Sequence, residues 1–188
     1  MKLFKKLAAA ALAAVLALSM VGCGNANSVN PTKQLVLNLI ADNAAQGDAE
    51  INNTAAMDGI AQNLLNKAAE LYGSEGHASQ SVVELLKDAS VTEGVGFEAD
   101  KTYLVSCAED YQFKSSLMPN AVKQGIFFIK LHQNDFTVRN STVSDLTVQG
   151  VKKADVGVAV GKIGDKTYVV MVTMPTEPAA APGTPEEN

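Results

Sequence analysis

The apolar residues in the first half of the chain recur with the spacing of amphipathic helices. In KQLVLNLIADNAAQ, four apolar side chains share one helical face: Leu35, Val36, Leu39 and Ile40. Asn30 followed by Pro31 is typical of a helix N-terminus, and Gly47 is a natural stop. A first helix is therefore predicted from Pro31 to just before Gly47.

A second helix is predicted from a cap at Asn53 or Thr54 to a stop at Gly73. Its apolar positions fit one face: Met57, Ile60, Leu64, Ala68 and Leu71. A third follows in SVVELLKDA, where Ser81 and Glu84 have the spacing of a capping box. These features predict an N-terminal half made mainly of helices.

Strand patterns dominate the second half. KTYLVSCA reads as a strand, whereas NAVKQGIFFIKLH after Pro119 fits both a helix and a strand, and we favour a helix. In ADVGVAVGKIGDKTYVVMVTM, Val156, Val158 and Val160 alternate with small residues, and a turn at 164–165 leads to a second strand, 167–174. This predicts a β-hairpin with a helix packed closely on its small residues, and an α+β fold with helices on an antiparallel sheet.

The N-terminus has the pattern of a bacterial lipoprotein signal. Three lysines in MKLFKK precede 16 largely apolar residues, too few to span a bilayer comfortably, and SMVGCGN follows with Cys23 after a glycine. This resembles a lipobox, and residues 1–22 are then a signal peptide, with acylated Cys23 as the first residue of the mature chain. A plain signal peptide with an incidental cysteine is the alternative.

Composition divides the remainder of the chain. Residues 23–30 form a short polar tether, and PTEPAAAPGTPEEN, residues 175–188, holds four of the six prolines and predicts a disordered tail. The folded unit is then 31–174. Loss of residues 1–22 with their three lysines changes the net charge from −5 to −8, which excludes a typical nucleic-acid-binding protein. Cys107, in an apolar run, has no second cysteine with which to pair, and we predict that it is a buried, small apolar residue and not a nucleophile.

Few residues suggest catalysis. The chain contains no HExxH, CxxC, GxSxG or SxxK motif and no glycine-rich phosphate loop. Histidines and carboxylates can share a divalent ion or exchange protons, and six such side chains are candidates: Glu75, His77, Glu109, Asp110, His132 and Asp135. A lone loop histidine such as His77 is more often not a ligand, and Glu109-Asp110 is more often a solvated turn.

Several segments resemble the CAP (SCP-like) family of extracellular cysteine-rich secretory, allergen and plant-defence proteins. The matching segments are QLVLNLIADNAAQ, INNTAAMDGIAQNLLNKAAELY, VVELLKDASV, YLVSCAED and the hairpin ADVGVAVGKIGDKTYVVMVTM. The resemblance implies a three-layer α-β-α sandwich over residues 31–174. It also implies a cleft that in some members holds a divalent cation through two histidines and two acidic residues. His77 and Glu109 match the first histidine and the first glutamate.

The second half of that tetrad is missing. RNSTVSDLTVQG before the hairpin has no histidine, the helix after Ala121-Val122 offers no glutamate, and the chain has no tryptophan. His77 and Glu109 are then the remnant of a cleft, with no catalytic residue, metal or cofactor expected. We predict an extracytoplasmic, non-catalytic binding or interaction module, anchored to the membrane through Cys23. Its ligand would be an envelope protein, a glycan or a small apolar molecule. The alternatives are a metal-dependent or hydrolytic site using His77 and Glu109, and a purely structural envelope lipoprotein.

Overall fold

The structure is a computed structural model that describes residues 30–46, 49–110, 119–138 and 151–178 of the 188-residue chain. The predicted signal segment 1–22, Cys23 and the tether up to residue 29 lie outside the described residues. Residues 179–188 of the predicted tail also lie outside them.

The described residues form five helices and five strands. The helices are α1 Pro31–Gln46, α2 Ala55–Leu71, α3 Val82–Lys87, α4 Ala89–Thr92 and α5 Asn120–His132. The strands are β1 Glu50–Asn53, β2 Tyr103–Glu109, β3 Phe136–Val138, β4 Val151–Ile163 and β5 Lys166–Pro178. The predicted α+β class is confirmed, and the segment after Pro119 is a helix, as favoured.

Side-chain hydrogen bonds cap the N-termini of four of these helices, α1 to α4. Asn30 Oδ1 accepts a hydrogen bond from the Thr32 backbone N–H at 3.0 Å, and Thr54 Oγ1 accepts one from the Met57 N–H at 3.2 Å. Ser81 and Glu84 form the predicted capping box. The helix predicted in SVVELLKDA is divided at Asp88, which ends α3 and whose side chain caps α4 through the Ser90 N–H.

The five strands form one sheet in the order β1-β4-β5-β2-β3. The β4–β5 hairpin turns through two residues, with Ile163 opposite Lys166, as predicted. The sheet is not entirely antiparallel, because the short edge strand β1 pairs parallel to β4. Neither β1 nor β3 is evident from the pattern, since strands of three or four residues carry too little alternation to be recognised.

Helices cover both faces of this sheet. One face packs in a core with α2, α3 and α4, which includes Leu64, Leu85, Val91, Val105 and Val170. The other face packs with α1 and α5, and this core includes Val36, Ile40, Phe127, Val158 and Met171. Because neighbouring strand residues point to opposite faces, the apolar runs of β2 and β5 supply both cores. The resulting layers are helix, sheet and helix.

The small residues of β4 mark a close approach between α2 and the sheet. A Cβ atom at Gly157 would lie 2.0 Å from the backbone carbonyl carbon and oxygen of Met57. At Gly161 it would lie 2.6 Å from Leu65 Cδ2. The predicted contact between a helix and the small face of the hairpin is confirmed.

The predicted start of the tail requires a correction. β5 continues through residues 175–178, and Pro175 lies opposite Ala154 of β4. Proline lacks the N–H needed between two neighbouring strands. β2 pairs with β5 only as far as Thr173, so the prolines fall where β5 has one neighbour, and the register is irregular between Val151 and Ala154.

Candidate functional site

A cleft of about 430 Å³ opens beside the N-terminus of α2. Its walls come from the start of α2, the segment that follows α4, and one end of the sheet. The lining residues are Thr54, Ala55, Ala56, Met57, Gly59, Ile60, Asn63, Val95, Gly96, Glu98, Tyr103, Asp155 and Met174. This volume lies in the range of small-molecule sites, which are concave and mostly apolar with a few polar groups.

Asp58 holds the α2 wall in place. Its Oδ1 accepts hydrogen bonds from the Val158 backbone N–H and from Asn53 Nδ2, both at 2.9 Å, and its Oδ2 pairs with Lys33 Nζ. Val158 lies beyond the four residues of β4 that pair with β1, and no strand in the described ranges accepts from its N–H. The carboxylate accepts this hydrogen bond instead and ties α2 to α1, β1 and β4.

The opposite wall is fixed by a short loop. Asn63 Nδ2 donates to the Val95 carbonyl oxygen at 3.1 Å, and the Glu98 N–H donates to Tyr103 Oη, also at 3.1 Å. The rings of Phe97 and Tyr103 pack with centroids 4.6 Å apart. Tyr103 is 1% exposed, so the loop is attached to a rigid part of the core.

The cleft combines apolar side chains with two carboxylates. Among the described lining residues, the ionisable side chains are Glu98, Asp155 and Tyr103, and none is a histidine, cysteine or lysine. Asp155 Oδ1 accepts from Asn52 Nδ2 at 3.3 Å, and Glu98 is exposed. Two carboxylates beside Met57, Ile60 and Met174 would favour a ligand with an apolar body and hydrogen-bond donors.

His77 lies in the loop between α2 and α3 and is not among the residues that line this cleft. Its Nδ1 is 2.6 Å from Gln80 Oε1, and its backbone N–H donates to the Ser74 carbonyl oxygen at 3.0 Å. Glu75, its neighbour in that loop, is exposed. The ring contact to Gln80 joins two residues of this loop.

Glu109 is the last residue of β2, Asp110 follows it, and the two have separate partners. Lys166 Nζ donates to Glu109 Oε2 at 3.0 Å, and this hydrogen bond raises the pKa of Lys166. Thr32 Oγ1 donates to Asp110 Oδ2 at 3.0 Å, joining the start of α1 to the end of β2. No contact in the described part of the chain joins Glu109 to His77.

The remaining histidine forms a pair with Asp135 at the end of α5. His132 Nδ1 is 2.8 Å from Asp135 Oδ2, and Phe128 packs against the imidazole with centroids 4.6 Å apart. His132 Nε2 and Asp135 Oδ1 are buried and have no hydrogen-bond partner among the described residues. The sequence offered both residues as candidates but gave no sign that they pair.

Cys107 is unsuited to nucleophilic chemistry. It is 3% exposed in the core under α2, and burial raises the pKa of its thiol to about 12. The prediction of a buried, small apolar residue is confirmed. Since the thiolate is the reactive form, this cysteine is unreactive at neutral pH.

Nowhere in the described ranges do three or more histidine, cysteine, aspartate or glutamate side chains come close enough to hold one metal ion. The helices in these ranges also do not meet the length and hydropathy needed to span a bilayer. Comparison of the chain with family models, curated proteins and solved structures finds no match.

Proposed function

We propose that this protein is a lipid-anchored, non-catalytic binding module of the bacterial cell envelope, and that it binds its ligand in the cleft beside α2. The observation that carries the proposal is the composition of that cleft. Its described lining combines apolar side chains with two carboxylates and contains no imidazole, thiol or amine. Such a surface can bind and orient a ligand through apolar contacts and hydrogen-bond acceptors.

The anchor is proposed from the sequence around Cys23. A basic segment, an apolar stretch and SMVGCGN occur in the order required for acylation of that cysteine. Two or more acyl chains, at ~0.8 kcal/mol for each buried methylene, give stable attachment to a membrane. The CAP-like ancestry is part of the same proposal, with His77 and Glu109 as remnants of the family's cleft.

A dye titration tests the binding cleft. Gly59 lines the cleft, and an added Cβ there meets nothing within 4 Å, so Gly59→Trp is chosen to place a bulky side chain at the cleft. We expect the neutral apolar dye Nile red to bind the wild-type protein saturably. The substitution should weaken binding at least about tenfold, or ~1.4 kcal/mol.

Gln62→Trp is the matched control, because Gln62 is exposed on the same helix but does not line the cleft. It should leave the affinity for Nile red unchanged. Equal affinities for wild type and Gly59→Trp would show that the cleft is not the binding site.

Calorimetry tests the metal-dependent alternative. Zinc and calcium would be titrated in turn into the wild-type protein and into His77→Ala. We expect no micromolar binding to either protein, because Gln80 and Lys166 are the partners of His77 and Glu109. A micromolar site in the wild type that is lost in His77→Ala would support the alternative and contradict the non-catalytic proposal.

A further inference from the structure

One exposed apolar face in the described structure lies on α5. Three large apolar side chains there are exposed: Val122 by 49%, Ile126 by 38% and Ile129 by 69%. With the exposed Gly125 they follow i, i+3, i+4 and i+7 spacing and form a single stripe, here called the α5 stripe. It spans about 10 Å along the helix axis.

The stripe points away from the protein core. Phe127 and Leu131, on the other side of α5, are each 1% exposed and pack against the sheet. The helix is therefore held by its inner face, and nothing in the core requires apolar residues on its outer face. Ile129 is exposed by two thirds, so it adds little to the described fold. An exposed apolar stripe of this kind indicates a contact surface for a partner outside the described fold.

The position of the N-terminus indicates what that contact is. α1 and α5 pack on the same face of the sheet and share one core. Seven residues, 24–30, separate Cys23 from α1, so the acylated cysteine can lie at most about 25–30 Å from Pro31. The proposed anchor therefore emerges from the helical layer that carries the stripe, with too short a tether for the protein to move far from the bilayer.

The charge of α5 agrees with this placement. The chain has 20 acidic residues, but NAVKQGIFFIKLH, the whole of α5, has none. Of its two lysines, Lys123 is buried and Lys130 is half-buried. A helix without carboxylates can approach an anionic lipid surface without repulsion. Because the tether holds the protein near the bilayer, even a weak apolar contact becomes well populated.

We infer that the α5 stripe rests on the bilayer that holds the acyl chains of Cys23, so that the α2 cleft faces away from the membrane. The inference depends on the proposed lipid anchor and adds an orientation to it. α5 lies on one face of the sheet and α2 on the other, so contact through α5 leaves the cleft accessible.

Lipid quenching tests this orientation. The lipidated full chain, carrying Ile129→Cys or Gln62→Cys labelled with an environment-sensitive fluorophore, is reconstituted into phosphatidylglycerol–phosphatidylcholine vesicles. Cys107 is 3% exposed and should not compete for the label. A label at 129 should lie ~5–10 Å into the headgroup and acyl boundary and lose at least about half its fluorescence to doxyl-labelled lipid. A label at 62, on α2, should be unaffected.

The outcomes are distinct. Protein that floats with the vesicles but is not quenched at 129 would overturn the orientation and leave the anchor intact. Blue-shifted emission at 129 without lipid quenching, lost on dilution of the protein in lipid, would mean that a second copy covers the stripe and would also overturn it. Protein that fails to float and carries no acyl mass would contradict the anchor, and the inference with it.

Discussion

At the scale of single residues, Asp58 shows how a charged side chain can hold three other elements together. It accepts from Val158 of β4 and Asn53 of β1 and pairs with Lys33 of α1. It supplies an acceptor for the Val158 N–H, which lies beyond the residues of β4 that pair with β1. Without it, a backbone N–H would lose its partner in a half-buried position, which is more costly than the loss of an exposed contact.

Replacing this carboxylate tests its structural role. We expect Asp58→Ala to lower the free energy of unfolding by about 2–3 kcal/mol, because the Val158 N–H and Lys33 both lose their partner. Asp58→Asn keeps one acceptor oxygen and should cost less. Asp42→Ala, an exposed change on α1, is the control. Urea denaturation would measure all three, and an effect of Asp58→Ala no larger than that of Asp42→Ala would contradict this role.

The capping box predicts an acid-dependent contribution to stability. Hydrogen bonds from the Ser81 backbone N–H and then from its side chain lower the pKa of Glu84 below its usual value. A carboxyl group whose pKa is lower in the folded than in the unfolded state stabilises the fold at pH values above its unfolded pKa. This stabilisation is lost as the pH falls through the folded pKa.

Ser81→Ala should therefore move the pKa of Glu84 upward, as followed by NMR titration of its side-chain carboxyl. Ser90→Ala is the matched control, because hydrogen bonds from the Ser90 side chain and backbone lower the pKa of Asp88 instead. An unchanged Glu84 titration in Ser81→Ala would show that the box does not form in solution.

The sequence could predict these local contacts but not the distant ones. Ser81 and Glu84, or Thr54 and Met57, are three residues apart, so the pattern alone identifies them. Asp58 and Val158 are a hundred residues apart. Nothing near Asp58 indicates that it would bind a strand edge.

At the scale of elements, the contact between α2 and β4 determines how closely the layers pack. Gly157 lets the α2 backbone touch the strand, whereas Gly161 faces only the end of the Leu65 side chain. A helix backbone cannot move aside without shifting the whole helix, but a leucine methyl can rotate. The same substitution should therefore have different costs at the two positions.

A series of glycine-to-alanine changes tests this difference. We expect Gly157→Ala to cost at least about 3 kcal/mol, or to prevent folding, and Gly161→Ala to cost roughly 1 kcal/mol. Gly59 is exposed within α2, and an added Cβ there meets nothing within 4 Å. Gly59→Ala should therefore stabilise the protein by about 0.5–1 kcal/mol. Thermal unfolding of the three variants would rank them, and equal costs at Gly157 and Gly161 would contradict the close approach.

The elements that the sequence did not predict depend on tertiary pairing. β1 has four residues and forms only because β4 lies beside it, and β3 has three residues paired with β2. The prolines at 175 and 178 suggested a tail, yet β4 extends far enough to pair with them. The position of this cleft was also unpredicted, because its walls come from segments between Thr54 and Met174 that meet only in the fold.

At the scale of the whole molecule, the α1–α5 layer and the α2 layer have different proposed roles. The first contains α1, which follows the tether to Cys23, and the exposed apolar stripe of α5. The second carries the open cleft on the opposite face of the sheet. An anchored module of this kind would keep its binding surface toward the envelope space and its apolar helix toward lipid.

Mass spectrometry of the N-terminal tryptic peptide tests the central claim, the lipid anchor at Cys23, most directly. In protein extracted from membranes with detergent, we predict the peptide of residues 23–33, CGNANSVNPTK, with Cys23 carrying acyl chains. Cys23→Ala should yield no acylated peptide. An unmodified peptide that begins before residue 23, or a free thiol at Cys23, would contradict the claim.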